Sequence, residues 1–585
     1  MTVPATHFIG TVILDRFKST RSNWEEHTTR SMIETSLWLL ATGTAWQWSQ
    51  GSMIFTVPFG SSMGVVVVLL STIFGWGKPI GFSHTRRELS TEQDIKEKKE
   101  KTQSVSSSLA VRAVDVAGAV GVAGAATAKL NKTQTTRNRC AVYDWNEVAL
   151  HNTMDDIWIV IHGVVYDVTL WGSKHPGGTI IYKYGGKDCS DQFEAFHHPH
   201  VKARLGAYKI GTMSAVSMEQ LRTTTSPATL AYRELREKLW KNKYFVADPI
   251  YFYWKHALWA SMILSSALMV AAGPQTWFTS LAAGCLLGLG WQQVAFVAHD
   301  ALHNGIHEAK KGGGMNFLGW FLGSPIFGIS ASLWTEEHNV HHAITLRPRE
   351  DPQFNYLPLW LISEKELLVK NPTGGDDKYQ LNFMIKILIS IQHWTFLPLT
   401  TLIGRFNFYL ISLVFAVKQL IRGPTALHRY RSIMDLAGMT IYWCWFISLT
   451  SMLSSTKLRI LFVLASHWTV GILHVQLLLS HLATDTFTEA EEDEIGFFRF
   501  QLGTSRNINV MKYEHWFHGG LEYQIEHHLF PQLPRHQLHI VKNMVMKICQ
   551  ENNIVYRSIG FTEAMSECLS NFKKLAYDMV TLEMG

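Results

Sequence analysis

The sequence predicts a multi-domain protein: a small α+β domain followed by an all-α, membrane-embedded domain with four transmembrane helices and accompanying interfacial helices. Three observations carry that prediction. Apolar residues make up 47% of the 585-residue chain and charged residues only 17%, below the quarter usual in soluble proteins. Apolar runs of membrane-crossing length recur through the second half. Histidine, with 27 copies, gathers at the ends of those runs.

Residues 1–90 read as an N-terminal extension. Within it, Met53 to Trp76 carries no charge and is long enough to span a bilayer. Pro58, Gly60 and Gly64 interrupt it, so a surface-lying segment is the alternative. From 91 to 139 a charged run, DIKEKKEK, passes into Ser, Ala, Gly and Val of low complexity, the composition of a flexible linker. Residues 140–215 read as a compact soluble domain. Its Ile157–Trp171 stretch alternates and is rich in β-branched residues, which predicts strands. Residues 216–250 read as linker and helix.

The membrane domain is expected over 251–550. Ala257–Gly273, Trp277–Ala298, Asp435–Leu453 and Leu458–Leu482 are apolar runs of spanning length. Phe317–Leu333 and Ile387–Val417 contain Gly, Pro or Arg and read as interfacial or half-inserted helices. Residues 551–585 read as a cytosolic tail. Lys310, Lys311, Arg347, Arg349, Arg422, Arg429 and Arg431 lie between the runs, which puts that side in the cytosol.

Composition excludes other classes. Cys140, Cys189, Cys285, Cys444, Cys549 and Cys568 form no CxxC pair, so neither a zinc site nor a disulfide framework is indicated. The pattern suits a reducing compartment. Net charge is only +6, without a basic stripe interleaved with aromatics, and gives no case for nucleic acid. Gly312-Gly313-Gly314 makes no dinucleotide fingerprint.

Two histidine patterns carry chemistry. The first is His175-Pro176-Gly177-Gly178, with His197 following inside FEAFH. Two histidines on opposing helices can coordinate haem iron from both faces, which leaves no open position and suits electron transfer. Together with WIVIHGVVYDVT before it and YGGKDCSDQFEAFH after it, the segment resembles cytochrome b5. The resemblance implies haem b with His175 and His197 as axial ligands; His198 is the alternative for the second. His162 and His200 are expected to be structural or on the surface.

The second pattern is a set of clusters: His299 and His303 in HDALH, His338, His341 and His342 in HNVHH, and His527 and His528 in QIEHH, with His481 alone at the end of the fourth run. Positions i, i+3 and i+4 share a helix face, so these imidazoles can converge on metal. Thiolate-free imidazole sites suit iron, copper or zinc, and eight donors are enough for two ions. His467, His474 and His481 follow one another at intervals of seven residues, so a plain stripe along one face is an alternative for His481. His307, His515, His518, His536 and His539 are expected to support the clusters or face solvent.

HDALH, HNVHH and QIEHH, with GISASLW before the second and WFHGGLEYQIEHHLFPQLPRH around the third, resemble a front-end fatty acid desaturase with an N-terminal cytochrome b5 domain. The resemblance implies a di-iron centre held by His299, His303, His338, His341, His342, His481, His527 and His528. Gln524 would be a ligand or near-ligand. The same residues, His481 excepted, would be the catalytic set. It implies a long-chain fatty acyl lipid or acyl-CoA substrate and O2. The cis double bond would enter between an existing double bond and the carboxyl end. Electrons would come from NADH-cytochrome b5 reductase through the fused haem. The location would be the endoplasmic reticulum membrane, with the haem domain and active site facing the cytosol. Rival readings are a delta-8 sphingolipid long-chain-base desaturase, a lipid hydroxylase and a non-catalytic membrane haem protein. Two departures stand out: Glu522 where Asn is usual, and DPQF where DPD is common. Asp300, Asp351, Asp485 and Glu526 are expected to orient ligand imidazoles. Trp291, Phe296, Phe327 and Trp334 are expected to line an apolar tunnel.

Overall fold

Strand DIWIVI shows how the first domain is built. Alternate residues of a strand face opposite sides, and here both sides are covered. Ile157, Ile159 and Ile161 enter one apolar cluster, while Trp158 and Val160 enter another. This strand, β3 (Asp156–Ile161), belongs to a five-stranded sheet with β1 (Ala141–Tyr143), β2 (Asn152–Thr153), β4 (Val164–Asp167) and β5 (Lys209–Met213). The order is β1-β5-β4-β3-β2. Only the β1–β5 pair is parallel.

The structure, a computed structural model, describes residues 141–307, 316–370, 376–378, 381 and 383–581. The expected extension with its 53–76 segment, the 91–139 linker, Cys140, Lys310, Lys311 and Gly312–Gly314 lie outside the described residues.

Helix α1 (Ser190–Phe196) closes the haem-side domain, and α2 (Pro227–Lys241) follows it. Five helices are long and apolar enough to cross a membrane: α3 (Pro249–Ala272), α4 (Trp277–Leu302), α6 (Gln392–Arg422), α7 (Ala426–Ser451) and α8 (Thr456–Leu479). Between α4 and α6, Phe317–Ile326 bends by 113° into α5 (Ala331–Ala343), as a half-inserted segment would. Further on come α9 (Glu489–Thr504), α10 (Gln524–Leu529), α11 (Arg535–Glu551) and α12 (Phe561–Thr581).

The expected count of four spans differs at α6, and Arg405 explains why. A charge in an apolar run argues against a span, yet Arg405 is fully buried. Its Nε donates to the Tyr409 hydroxyl at 3.0 Å, a second nitrogen donates to the Phe327 carbonyl, and the guanidinium lies 3.5 Å from the Phe327 ring centre. The segment set apart as a tail also contributes to the core. Phe572 of α12 packs on Phe396 at 5.2 Å, and its carbonyl accepts a bond from Gln392.

Helices α4 and α8 pack closely because of small residues. A Cβ at Gly284 would sit 2.7 Å from the Phe462 carbonyl of α8. Both helices end at the same level, and the histidine clusters begin there.

Candidate metal centre

Consecutive helical residues point about 100° apart, and that angle organises the site. His338 and His342, one turn apart on α5, face one group of donors; His341 between them faces another. His527 and His528 divide in the same way on α10. The first group is His299, His303, His338, His342 and His527, and the second is His341, His481 and His528. Within each group the donor atoms lie within 4.8 Å of one another. The groups adjoin: the His342 and His528 rings stack at 4.1 Å. All eight predicted histidines are therefore brought together. His299 and His303 of HDALH stay in one group, whereas HNVHH and QIEHH each contribute to both.

The outward nitrogens are held. Nδ1 of His338 meets Gln353 Oε1 at 2.9 Å, and Nδ1 of His341 meets Asp351 Oδ2 at 2.8 Å. Nδ1 of His481 meets the Thr504 carbonyl at 2.9 Å, and Nδ1 of His528 meets Gln501 Oε1 at 2.9 Å. Each acceptor fixes the proton on Nδ1 and leaves the Nε2 lone pair facing inward. There the nitrogens crowd: His338 Nε2 lies 3.2 Å from His299 Nε2 and 3.1 Å from His342 Nε2. Buried Nε2 atoms of His303, His527 and His528, and Oε1 of Gln524, have no hydrogen-bond partner. A buried polar atom left unpaired costs about 1–3 kcal/mol, so several converging on one place fit a metal-binding pocket. Burial and the surrounding imidazoles hold His481, His527 and His528 well below the usual histidine range. They are neutral, the form that ligates metal.

Gln524 sits beside the second group, its amide nitrogen 2.9 Å from His481 Nε2. Rotating the amide would turn its oxygen toward the same point. His481 is part of this group, whereas His467, buried, and His474, half-buried, lie elsewhere. His467 stacks on Phe406 at 4.6 Å, and His474 lies beside Gly404. His307 is exposed.

The expected orienting carboxylates divide. Asp351 is bonded to His341. Asp300 is 3.5 Å from His299 but mainly pairs with Arg535, at 2.7 Å. Glu526 instead bonds Asn507 at 2.8 Å and Tyr556 at 2.7 Å, bracing α10 from behind. Among the described residues, the Asp485 side chain makes no bond to the eight imidazoles. Both departures from the family pattern have visible roles. Gln353 of DPQF is the partner of His338. Glu522 accepts from His515 at 2.7 Å and from the Gly520 amide at 2.9 Å. Of the proposed tunnel residues, Trp291, Phe296 and Phe327 are packed in the central core, and Trp334 lies 4.2 Å from the His338 ring. Gln501, the Thr504 carbonyl and Arg535 were not singled out from the sequence. Only their distance from the clusters in the fold, not any local pattern, reveals them.

In the first domain the His175 and His197 rings face each other at 5.9 Å. Their Nδ1 atoms are held by the carbonyls of Gly178 (3.2 Å) and Phe193 (3.0 Å), again leaving Nε2 for a metal. Burial, and then the neighbouring His197, lower His175 to about 4. These donors fit bis-histidine haem. His198 turns away and packs edge-on against Trp240 at 5.2 Å, so His175 and His197 are the two rings that face each other. His162 bonds Glu194 at 2.9 Å, a structural role.

The two parts meet at the second cluster. Tyr184 donates to the Ala343 carbonyl at 2.9 Å, and Lys183 pairs with Glu350 at 2.6 Å. Gly178 adopts a left-handed backbone (φ +77°), and a Cβ there would fall 2.5 Å from the Glu336 side chain of α5. Glycine lets the HPGG turn press onto the helix that bears the second cluster.

Two family models match this chain. The family described as fatty acid desaturase matches residues 275–560, and the cytochrome b5-like haem/steroid binding domain matches residues 144–214. A delta(8)-fatty-acid desaturase of Helianthus annuus is 30% identical over 440 residues, covering 74% of this chain and 90% of the relative. An acyl-lipid (9-3)-desaturase of Borago officinalis is 28% identical over 74% of this chain and 92% of its own length. A delta 8-(E)-sphingolipid desaturase of Komagataella phaffii is 31% identical over 60% and 64%, respectively.

Proposed function

We infer that this chain, which belongs to the fatty acid desaturase family and carries a cytochrome b5 domain in the same polypeptide, acts as a front-end desaturase at a di-iron centre. It introduces a double bond into a long-chain fatty acyl group, between an existing double bond and the carboxyl end, with O2 as oxidant. The observation that carries the metal reading is the division of eight imidazoles into two adjoining groups, with buried, unpartnered ring nitrogens among them. His299, His303, His338, His342 and His527 would hold one iron. His341, His481 and His528, with Gln524 beside them, would hold the other.

Bound iron would supply the oxidising power that an unactivated C–H bond demands and that side-chain acid–base chemistry lacks. The chain's own residues do the rest. Asp351, Gln353, Gln501 and the Thr504 carbonyl fix the tautomer and direction of their histidines. Trp334 closes the first group on one side. His175 and His197 would hold haem b within reach of the second cluster. Overall, two hydrogens leave adjacent methylenes and, with O2, two electrons and two protons, end as two waters. The electrons would come from a reductase such as NADH-cytochrome b5 reductase. The site would face the cytosol from the endoplasmic reticulum membrane.

A second reading, in which a sphingoid long-chain base is the substrate, is favoured by the likeness to the sphingolipid enzyme. Expression in a yeast that lacks polyunsaturated lipids, fed single defined fatty acids, separates the two. New double bonds on the carboxyl side of existing ones support the first reading. Modified long-chain bases select the second, and hydroxylated products or unchanged lipids reject both.

A further inference from the structure

The two histidine sites are joined by one aromatic side chain. Phe196 ends α1 and is followed directly by His197. Its ring meets the ring of His342 edge-on, 6.4 Å between centres and 81° between planes. The Phe196 carbonyl accepts a bond from Gln532, four residues beyond His528. The same side chain packs against two apolar clusters. One holds Val340, Ala343 and Ile344 with the strands of the haem-side domain; the other holds Leu529 and Phe530. Phe193 stacks on His197 at 4.5 Å. Among the described rings, however, it makes no contact with the eight clustered histidines. The ion pairs of Lys183 with Glu350 and of Lys187 with Glu489 join partly exposed side chains. They hold the domains together without touching either histidine site.

We propose that Phe196 is the bridge by which electrons pass from a haem ligated by His197 to the iron ligated by His342. The route runs through one peptide unit and one ring contact, inside a packed region. Each crossing moves one electron: ferrous haem becomes ferric, a ferric non-haem iron becomes ferrous, and no bond is made or broken. Two crossings supply the two electrons that one desaturation consumes. This inference rests on the metal assignments proposed above.

The test uses the full-length purified protein with its haem reduced, mixed with O2 and substrate. Reoxidation of the haem is followed by its absorbance. Phe196→Leu keeps an apolar side chain and removes the ring; Phe196→Met is the second variant if the first binds haem poorly. Haem content, non-haem iron content and haem midpoint potential are expected to match wild type, while haem reoxidation slows several-fold. Phe196→Tyr restores the rate. A small-molecule reductant that reaches the iron directly gives wild-type product yield in every variant. Reoxidation at the wild-type rate in both ring-less variants, with both cofactors bound, overturns the bridge alone. Equal slowing by Phe196→Tyr also overturns it, because the ring is then irrelevant. Wild-type protein that holds haem but no non-haem iron overturns the metal assignment, and the bridge with it.

Discussion

Replacing Asp351 by Asn tests whether the buried histidines hold metal through their outer bonds. Asp351 and His341 are 1% and 2% exposed. One carboxylate oxygen accepts from His341 Nδ1 and from the Leu346 amide, both at 2.8 Å, and the other accepts from the Gln353 amide at 2.9 Å. All three partners are donors. An asparagine offers one acceptor oxygen, so its NH2 must face at least one of those donors in a buried site. The His341 ring then loses the charge that makes Nε2 more basic, and where the NH2 takes the shared position it also loses its anchor and fixed tautomer. Loss of such an outer partner weakens metal binding by roughly ten- to a hundred-fold, about 1.4–2.7 kcal/mol. The effect belongs to the three-histidine group, which has fewer imidazoles to compensate than its neighbour. The assay is non-haem iron per haem in purified protein, challenged with increasing chelator. Asp351→Asn is expected to surrender one iron at a chelator concentration that leaves the other bound, with the haem spectrum unchanged. Retention of both irons at wild-type chelator resistance would refute the reasoning, since a buried anion bonded to the ring would then contribute nothing to metal affinity.

Three other expectations follow from the same contacts. His197→Ala should abolish the haem absorbance while His198→Ala preserves it, because only His197 faces His175. Gln524→Ala should lower desaturation and ease loss of iron from the second group without altering haem content; unchanged iron retention would remove Gln524 from the site. Glu194 links α1 to Arg236 of α2 and also pairs with Lys202. Burial alone would raise its carboxyl, but bonds from His162 and Lys202 and the Arg236 charge outweigh that and lower it from 4.5 to about 2. A depressed carboxyl stabilises the fold above its ordinary value, and that contribution is lost as pH falls from about 4.5 toward 2. It amounts to about 3 kcal/mol as an order of magnitude. Thermal unfolding in detergent should show this acid-dependent loss in wild type, and Glu194→Gln should be less stable above the window and flat across it.

Much of the site was legible because histidines i and i+4 on a helix announce a shared direction, and the apolar runs before them place that direction at a membrane edge. The division into two groups was harder to see. HNVHH and QIEHH look like one-face patterns, and only the relative rotation of α4, α5, α8 and α10 decides which imidazole joins which group. The bracing acceptors were illegible for a different reason: Gln501 and the Thr504 carbonyl approach His528 and His481 from α9, 27 and 23 residues away. In the fold, charge misled at α6. Arg405 counts against a span in sequence, whereas in the structure a carbonyl, a phenol and an aromatic face accommodate it.

The character of those braces bears on what the centre can do. An imidazole that ligates metal adds no charge, so two bound irons would leave a strongly cationic cluster among mostly buried side chains. The carboxylates that touch the ligands hardly offset it. Asp300 is already neutralised by Arg535, which leaves Asp351 as the one carboxylate bonded to a ligand without an arginine or lysine partner among the described residues. His338 and His528 are braced by amides, Gln353 and Gln501, and His481 by a backbone carbonyl. Net charge and hydrogen bonds around a metal set its potential. A set of neutral donors with neutral braces destabilises the most highly charged iron states more than a carboxylate-rich site would, and so raises their oxidising power. Removing hydrogen from an unactivated methylene requires that power. In this light, Gln353 in DPQF is consistent with the chemistry: it keeps the bond that orients His338 and withholds a charge that would blunt the centre.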